Sequence, residues 1–397
     1  MIKVGSDFSG VGAFNQALIR LGIEYEEVFA CDMDKYARQT FIHNYGEPKY
    51  YPTNVYDREI PSEPLDIYMT SPPCQAFSLA GKRLGKEDKR GILFFNSHEF
   101  IQKNNPRYFI FENVKGLLSD NGGKTFSEWV NLLGGKSING NPVIFPHEDS
   151  VPYHLYWQVL NAKHHGVPQN RERVFLIGIR DDQDNKFQFP REEHLSKRLK
   201  DVLEDAVDEK YFLSEKMISG FMKHNEKHNK KGTGFTFEPK DKNDIAACLR
   251  ANAALAATDN TLKIGDYRKD DGFRWREDGN SPTLCARARE DGSGQAIVMQ
   301  LNQSKESGGV QPYQQNRVYD SNGISPAMNA GQVTWGGNIV TLPNEYKIRR
   351  LTPRECFRLM DFPDTFTWPV SDSQAYKQAG NSIVVGVLTK ILSILLC

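Results

Sequence analysis

The first 180 residues alternate short apolar runs with longer segments of helical periodicity, and this alternation limits the possible folds more than any other feature of the chain. The apolar runs are IKVGSDF, EEVFACD, LDIYMTSPP, RYFIFENV, YHLYWQVL and RVFLIGI. Strands that alternate with helices build an α/β domain with a largely parallel sheet, which binds ligands at the carboxyl ends of its strands. The sequence therefore predicts an α/β domain over residues 1–180, with functional residues at strand ends.

The segment 181–345 differs from the first in composition, because it is rich in Gly, Asn, Asp, Lys and Arg and loses the strand-helix alternation. It contains a weak threefold repeat, in which aromatic starts at Phe235, Phe273 and Tyr319 precede ACLRA, TLCAR and AMNAG segments. A spacing of about 35 to 44 residues suits a hairpin module. We predict a second, mostly β lobe here, although turn-rich strands also resemble one another by chance. Residues 346–397 are predicted to link back to the first domain through a C-terminal helix.

Charge, cysteine content and hydrophobic runs limit the classes of protein to which the chain can belong. Fifty basic residues balance fifty acidic ones, so any contact with nucleic acid must come from local basic patches. The six cysteines form no CxxC pair, which predicts reduced thiols in a cytoplasmic protein and no metal site. The N-terminus lacks the pattern of a signal peptide. The apolar run 383–397 contains Lys390 and is shorter than the roughly 20 residues of a membrane span, so we expect a helix docked on the core.

Cys74 lies in the segment Thr70–Ser78, a loop that follows the predicted strand LDIYM. A cysteine thiolate in a loop at the end of a sheet strand can serve as a covalent nucleophile. Pro72 and Pro73 restrict the backbone ahead of the sulfur. A lone cysteine is more often a buried, unreactive residue, so the assignment needs further motifs.

These motifs are present, and the segment PPCQAFS resembles the signature of the DNA (cytosine-5)-methyltransferases. Further blocks that resemble this family occur in its order over Asp7–Arg180 and Arg349–Val387, whereas the middle lobe matches no block. The resemblance implies a Rossmann-like, S-adenosylmethionine-dependent methyltransferase domain followed by a mostly β target-recognition lobe. It also implies S-adenosylmethionine as methyl donor, S-adenosylhomocysteine as product and no metal.

The resemblance implies four catalytic residues. Cys74 adds to C6, and Glu112, in a Glu-Asn-Val block, holds cytosine N3, which requires a raised pKa for proton donation at neutral pH. In the segment QNRER, Arg173 donates to cytosine O2 while Arg171 orients the cleft and contacts a phosphate. The structural alternatives are a strand-end carboxylate that caps a helix and a surface arginine pair neutralised by Glu172.

The implied donor site begins at the segment SDFSGVGAF after the first strand. The family block is normally Asp-Leu-Phe-x-Gly-x-Gly-Gly, so Ser6 stands at the usual Asp position and Ala13 at the second paired Gly, while Asp7 fills the position next to Ser6. An acid that ends the second strand would hold the ribose hydroxyls. Asp34 is expected to cap the helix that follows. The residues assigned to the donor are Phe8, Ser9, Gly10, Gly12, Asp32, Met33, Asn54, Val55, Pro73, Leu93, Asn381 and Ser382.

DNA contacts are expected from two regions. The glycine-punctuated basic loop Gly81–Gly91 would close over DNA and hold phosphates, or it is merely a solvated surface loop. Arginines clustered in the second repeat unit are candidates for reading guanine edges. The block Arg349–Cys356 contains a capping box, which favours a structural role. The residues assigned to DNA are Gln75, Ser78, Lys82, Arg83, Arg268, Arg274, Arg276 and Arg287.

The resulting hypothesis is a monomeric, sequence-specific DNA (cytosine-5)-methyltransferase that flips its target base out of double-stranded DNA. It would belong to a restriction-modification system, with a cognate endonuclease, or act as an orphan or phage enzyme. A tRNA cytosine-5 methyltransferase uses the same motifs, but the long middle lobe favours DNA. A non-catalytic DNA-binding regulator on this fold is the remaining alternative, and the complete set of Cys74, Glu112 and Arg173 disfavours it.

Overall fold

A computed structural model describes residues 1–72, 92–183, 186–214, 240, 244–246, 248–249, 261–264, 266–268, 272–274 and 347–396. The chain divides into two compact units. The first unit comprises Met1–Ala206, Asn243–Asn260 and Leu351–Cys397, and the second comprises Val207–Lys242 and Thr261–Arg350. The domain ranges 1–180, 181–345 and 346–397 stay a prediction.

Eight strands of the described part of the first unit form a single sheet in the order β2-β1-β3-β4-β8-β7-β5-β6. They are β1 (Ile2–Asp7), β2 (Tyr25–Cys31), β3 (Ile67–Thr70), β4 (Tyr108–Val114), β5 (Ser137–Ile138), β6 (Asn141–Pro142), β7 (Tyr153–Asn161) and β8 (Glu172–Arg180). Because β1 lies between β2 and β3, the chain reverses its direction of progress across the sheet at β1. Ligands of α/β sheets bind beside such a reversal, outside the carboxyl ends of the strands.

The expectation of a largely parallel sheet is right for β1 to β4, which pair in parallel with one another, and for the short pairing of β5 with β7. β8 runs antiparallel to both β4 and β7. The physical reason is the connection from β7 to β8, which contains only the short 3-10 helix Ala162–His165 instead of the crossover helix that parallel neighbours require. The sheet is therefore mixed.

Seven α-helices lie in the described residues: α1 (Ala13–Arg20), α2 (Lys35–Tyr45), α3 (Ile92–Asn104), α4 (Lys124–Leu133), α5 (Pro353–Leu359), α6 (Asp372–Asn381) and α7 (Val385–Leu396). Further 3-10 helices span Lys115–Gly123, Leu199–Asp201 and Glu209–Tyr211. The Asp34 side chain accepts the backbone N–H groups of Tyr36 and Ala37, which confirms the expected cap of α2. Thr352 and Glu355 form the expected capping box of α5.

Aromatic side chains fill the core where α3 and α4 cover the sheet. Phe94 of α3 stacks on Trp129 of α4 with ring centroids 4.1 Å apart, and Phe111 of β4 packs against both rings. Tyr68 of β3 stacks on Phe100 of α3, also with 4.1 Å between centroids. Aromatic pairs of this kind combine a large buried area with a preferred geometry. They fix α3 against the two strands that lead into the candidate site.

The C-terminal segment returns to the first strands of the sheet. By length and composition alone, Asp372–Leu396 is apolar enough to cross a membrane. However, 61% of its most apolar window is buried, and the segment breaks at Ser382 into α6 and α7. α7 packs against α1, and Arg20 of α1 bonds to Asp361. The expectation of a C-terminal helix docked on the core is confirmed.

The described strands of the second unit form two small antiparallel sheets. β9 (Thr261–Ile264) pairs with β12 (Lys347–Arg350), and β10 (Asp266–Arg268) pairs with β11 (Gly272–Arg274). This β content agrees with the mostly β character expected for the second lobe. Most of the threefold repeat, including Phe235 and Tyr319, lies outside the described residues.

Candidate active site

The loop with the expected nucleophile follows β3 at the carboxyl edge of the sheet. Cys74 and Pro73 lie outside the described residues, as do Gln75, Ser78, Lys82 and Arg83. Two hydrogen bonds hold the residues that precede Cys74. The Thr70 hydroxyl lies 2.8 Å from that of Ser97, and Asn113 Nδ2 donates to the carbonyl of Pro72 at 3.2 Å.

Glu112 and Arg173 are diagonal neighbours on the antiparallel strands β4 and β8, where Glu112 pairs with Phe175 and Arg173 with Val114. Glu112 is 7% exposed, and Arg173 Nε lies 3.1 Å from Glu112 Oε1. Burial raises the pKa of the Glu112 carboxyl, while the positive charges of Arg173 and then Arg171 oppose that rise. A carboxyl group that stays protonated to higher pH can donate a hydrogen bond to a base nitrogen. The raised pKa required of Glu112 is thus a property of its place in the fold.

Arg171 is 3% exposed and bonds to segments other than β4. Its Nη1 donates to the Leu249 carbonyl at 2.8 Å and lies 3.2 Å from Cys248 Sγ. Its Nη2 donates to the carbonyls of Gly380 and Ser382, at 3.0 and 2.7 Å. Burial lowers the pKa of Arg171 to about 10. Backbone carbonyls thus accept from both Nη atoms of Arg171, and its expected role in orienting the cleft and a phosphate stays a prediction.

The loop after β1 has the backbone geometry of a ligand cradle. Phe8, Gly10 and Gly12 all have positive φ angles, of 58°, 55° and 82°. A Cβ on Gly12 would lie 2.2 Å from the Tyr45 ring, so only glycine fits there. The Gly10 N–H donates to Asp32 Oδ2 at 2.7 Å, which ties the loop to the end of β2.

The same loop is open beside Gly10. Among the described residues, no atom lies within 4 Å of a Cβ built on Gly10. Asp32 is partly exposed beside it, and burial raises the pKa of its carboxyl. Met33 is 86% exposed, which is unusual for a large apolar side chain. An open cradle, a carboxylate and a free apolar side chain match the ribose and adenine of the expected donor.

The other residues assigned to the donor differ from one another in burial and in hydrogen bonding. The Ser9 hydroxyl lies 3.2 Å from that of Tyr51. Asn54 Oδ1 accepts the N–H of Tyr56 in a local turn, which leaves the amide oxygen one free lone pair. Val55 is buried in the core cluster, and Leu93 packs against that cluster. Asn381 is exposed at the end of α6, whereas Ser382 is 8% exposed.

The profile of one protein family, described as C-5 cytosine-specific DNA methylase, matches residues 2–396. The chain belongs to this family. The orphan methyltransferase M.SPRI of Bacillus phage SPR is 32% identical to it over 98% of this chain and 96% of the phage protein. The type II methyltransferase M.HpaII of Haemophilus parainfluenzae is also 32% identical, with 95% of this chain and 84% of that protein covered.

Solved structures agree on the fold. The chain resembles S. pombe Dnmt2 with a TM-score of 0.61 and 19% identity, covering 100% of this chain and 98% of that one. It resembles a DNMT2 mutant of Spodoptera frugiperda with a TM-score of 0.64 and 21% identity, covering 100% and 99%. At these identities the likeness establishes the architecture alone. The expected α/β methyltransferase fold is confirmed.

Family membership confirms the expected activity as well. The chain is a DNA (cytosine-5)-methyltransferase, so its methyl donor is S-adenosylmethionine and its substrate is DNA. Among the described residues, no three His, Cys, Asp or Glu side chains are grouped so that they could hold a metal ion. The expected absence of a metal stays a prediction.

The arginines expected to read DNA are only partly placed in this methyltransferase. Arg268 and Arg274 belong to β10 and β11, where Arg268 pairs with Gly272 and Arg274 with Asp266. Arg276 and Arg287 lie outside the described residues. Their roles stay predictions.

Three residues beside the site were not singled out from the sequence. Asn113 holds the Pro72 carbonyl two residues before Cys74. Arg58 and Tyr68 both bond to Asp7, at the end of β1. The signal for Asn113 was its place beside Glu112, and the signal for the other two was the unusual acid at position 7.

Proposed function

We propose that this methyltransferase modifies cytosine within one short DNA sequence and that Cys74, Glu112 and Arg173 perform the chemistry on a flipped base. The buried Glu112 carboxyl, 3.1 Å from Arg173, carries the proposal. A base that enters this cleft would meet a proton donor and a cation side by side. N3 and O2 of cytosine are adjacent acceptors that match such a pair.

The reaction proceeds by addition and elimination. The Cys74 thiolate forms a bond to C6, electron density moves through the ring, and Glu112 gives a proton to N3. Arg173 donates to O2, where negative charge develops. When bound, S-adenosylmethionine would supply the methyl group that C5 accepts, with S-adenosylhomocysteine as the product. Loss of the C5 proton to solvent then expels the Cys74 thiolate, and N3 returns its proton to the Glu112 carboxylate, which restores the ring and the starting state of both residues.

The donor site proposed for this reaction lies at the carboxyl ends of β1 and β2. The Gly10 backbone leaves space for the ligand, Asp32 binds the ribose hydroxyls and Met33 covers the adenine. Asn381 and Ser382 face the methionine end, and Arg171 holds their segment through two carbonyl groups. Arg171 is thus a positioning residue.

The relatives' names include an orphan phage enzyme and a type II enzyme, so the setting is a modification methyltransferase with or without a cognate endonuclease. We place it in the cytoplasm as a monomer. The strand arginines Arg268 and Arg274, together with Arg276 and Arg287, are proposed to read the site. Lys82, Arg83, Gln75 and Ser78 are proposed to hold the DNA around the flipped base.

A duplex that contains 5-fluorocytosine tests the proposal directly. Fluorine at C5 cannot leave as a proton, so the wild-type protein should form a covalent complex that survives denaturing electrophoresis when S-adenosylmethionine is present. Cys74→Ser should form none, and Cys397→Ser should behave as wild type. Adducts with Cys74→Ser would refute the proposed nucleophile.

Bisulfite sequencing of treated plasmid DNA then identifies the target. Protected cytosines at one recurring motif are expected. Methylation of tRNA with no protected cytosine in DNA would move the substrate to RNA.

A further inference from the structure

Asp7 joins three chain segments that each lead into the candidate site. It is the last residue of β1 and directly precedes the donor loop Phe8–Gly12. Arg58 Nε donates to Asp7 Oδ1 at 2.9 Å from the segment that carries Asn54 and Val55. Tyr68 OH donates to Asp7 Oδ2 at 2.6 Å from β3, the strand that leads to Cys74. One carboxylate therefore connects the donor loop to the approach to the nucleophile.

The surroundings show that this polar cluster is fully enclosed. Asp7 and Tyr68 are 1% and 0% exposed, and Arg58 is 7% exposed. The Arg58 guanidinium lies over the Phe100 ring, 4.5 Å from its centroid. Burying an ion pair costs solvation free energy that apolar residues of similar volume would not lose. The cluster therefore stabilises the core less than apolar residues of similar volume would, which favours a role in fixing the local geometry.

The backbone that follows Asp7 supports such a role. Phe8 has a φ of 58°, a left-handed conformation that is unfavourable for an aromatic residue. Conformations of this kind persist only where the surroundings fix them. Asp7 is held on one side of Phe8, and on the other side the Ser9 N–H donates to the Cys31 carbonyl at 3.0 Å.

The acid at position 7 is a departure from the block that SDFSGVG resembles. That block usually carries an apolar leucine at the position of Asp7. Resting on the proposed donor site, we propose that Asp7, held by Arg58 and Tyr68, positions the donor loop and thereby sets the affinity for S-adenosylmethionine. Asp7 touches neither donor nor base and is a positioning residue.

The test measures donor binding and protein stability separately. Titration calorimetry gives the Kd for S-adenosylmethionine and for S-adenosylhomocysteine, thermal unfolding without ligand gives Tm, and methyl transfer gives kcat and KM. The variants are Asp7→Asn, Tyr68→Phe and the double variant Asp7→Leu with Arg58→Met. Tyr68→Phe removes one hydroxyl and keeps the ion pair, so it covers the case in which Asp7→Asn does not fold.

Asp66→Asn is the matched control. Asp66 also accepts a backbone N–H, from Lys3 at 2.8 Å, and an arginine, Arg107 Nη1 at 2.8 Å. It lies at the amino edge of the same sheet, away from the donor loop. Its variant should lower Tm while Kd for the donor stays within about twofold of wild type.

We expect Asp7→Asn to raise Kd and KM for the donor by about tenfold, with kcat at saturation within about threefold. Tyr68→Phe should raise Kd by about threefold. The double variant should regain Tm relative to Asp7→Asn without regaining affinity. An unchanged Kd for the donor in the folded Asp7 and Tyr68 variants would overturn this inference but not the proposed donor site. A Kd that is restored to the wild-type value in the double variant would do the same. A wild-type protein that binds neither ligand would overturn the donor site as well.

Discussion

The carboxyl ends of β4 and β1 carry the same pair of residue types in different settings. Glu112 and Asp7 are both buried carboxylates beside an arginine, and burial raises the pKa of each. Asp7 has both oxygens engaged, one by Arg58 and one by Tyr68. Within the described residues, Glu112 bonds only through Oε1, to Arg173. Equal burial therefore yields a structural anchor in one place and an available proton donor in the other.

The difference shows what separates a functional carboxylate from a positioning one. The pKa alone does not distinguish them, since its direction is the same at both sites. The number of hydrogen bonds that each carboxyl group already makes does distinguish them, because an oxygen without a protein partner can bond to the substrate. The contrast gives predictions that separate rate, stability and pH dependence.

The largest expected effect is on the rate of methyl transfer in Glu112→Gln. The amide can occupy the same space and donate a hydrogen bond, but it cannot transfer a proton to N3. Loss of general acid catalysis should lower the single-turnover rate by about 10² to 10⁴-fold. Donor Kd should stay unchanged, the reverse of the pattern expected for Asp7→Asn. A rate within threefold of wild type would remove Glu112 from the chemistry.

The pH profile sharpens this test. The active form has Glu112 protonated, and its pKa is raised in the folded protein, so the active form is present at low pH and is lost as pH rises through the folded pKa. The wild-type profile of kcat/KM should show a falling limb on the alkaline side. Glu112→Gln should lack that limb.

Local sequence patterns predicted part of this arrangement. The alternation of runs gave β1 to β4 and the strand ends that carry Asp32 and Glu112, because parallel connections need intervening helices. The same alternation also predicted β7 and β8 as strands but not their antiparallel direction, since the two-residue period of a strand carries no information on direction. The capping roles of Asp34 and Thr352 were predictable because capping depends on neighbours in sequence.

Long-range polar contacts were not predictable. Arg58 lies 51 positions from Asp7, in a segment without a recognisable motif. The motif that contains Arg171 indicates its presence but not the direction of its side chain. That direction follows from carbonyls at Leu249 and Ser382, which approach only after the chain folds.

A smaller effect is expected at Glu27, a third enclosed carboxylate near β1 whose partner is neutral. Asn15 Nδ2 donates to it, and burial raises the pKa of Glu27 to about 8. The folded state then binds more protons than the unfolded state between pH 4.5 and about 8, so stability falls as pH rises across that window. Urea unfolding should show Glu27→Gln to be less pH-dependent by on the order of 3 kcal/mol. Equal pH dependence would show that an arginine is not needed to keep a carboxylate ionised here.

The smallest expected effect concerns Arg171, where charge and hydrogen bonding can be separated. Arg171→Lys keeps the charge but cannot reach the carbonyls of Leu249, Gly380 and Ser382 together, so unfolding free energy should fall by about 2 kcal/mol. In Arg171→Lys, the falling alkaline limb of the kcat/KM profile, which Glu112 sets, should stay at the same pH. Arg171→Met also removes the charge that lowers the Glu112 pKa, so its limb should move to higher pH. If both variants shift the limb equally, Arg171 acts on the Glu112 pKa through its backbone contacts, which fix the local geometry, rather than through its charge.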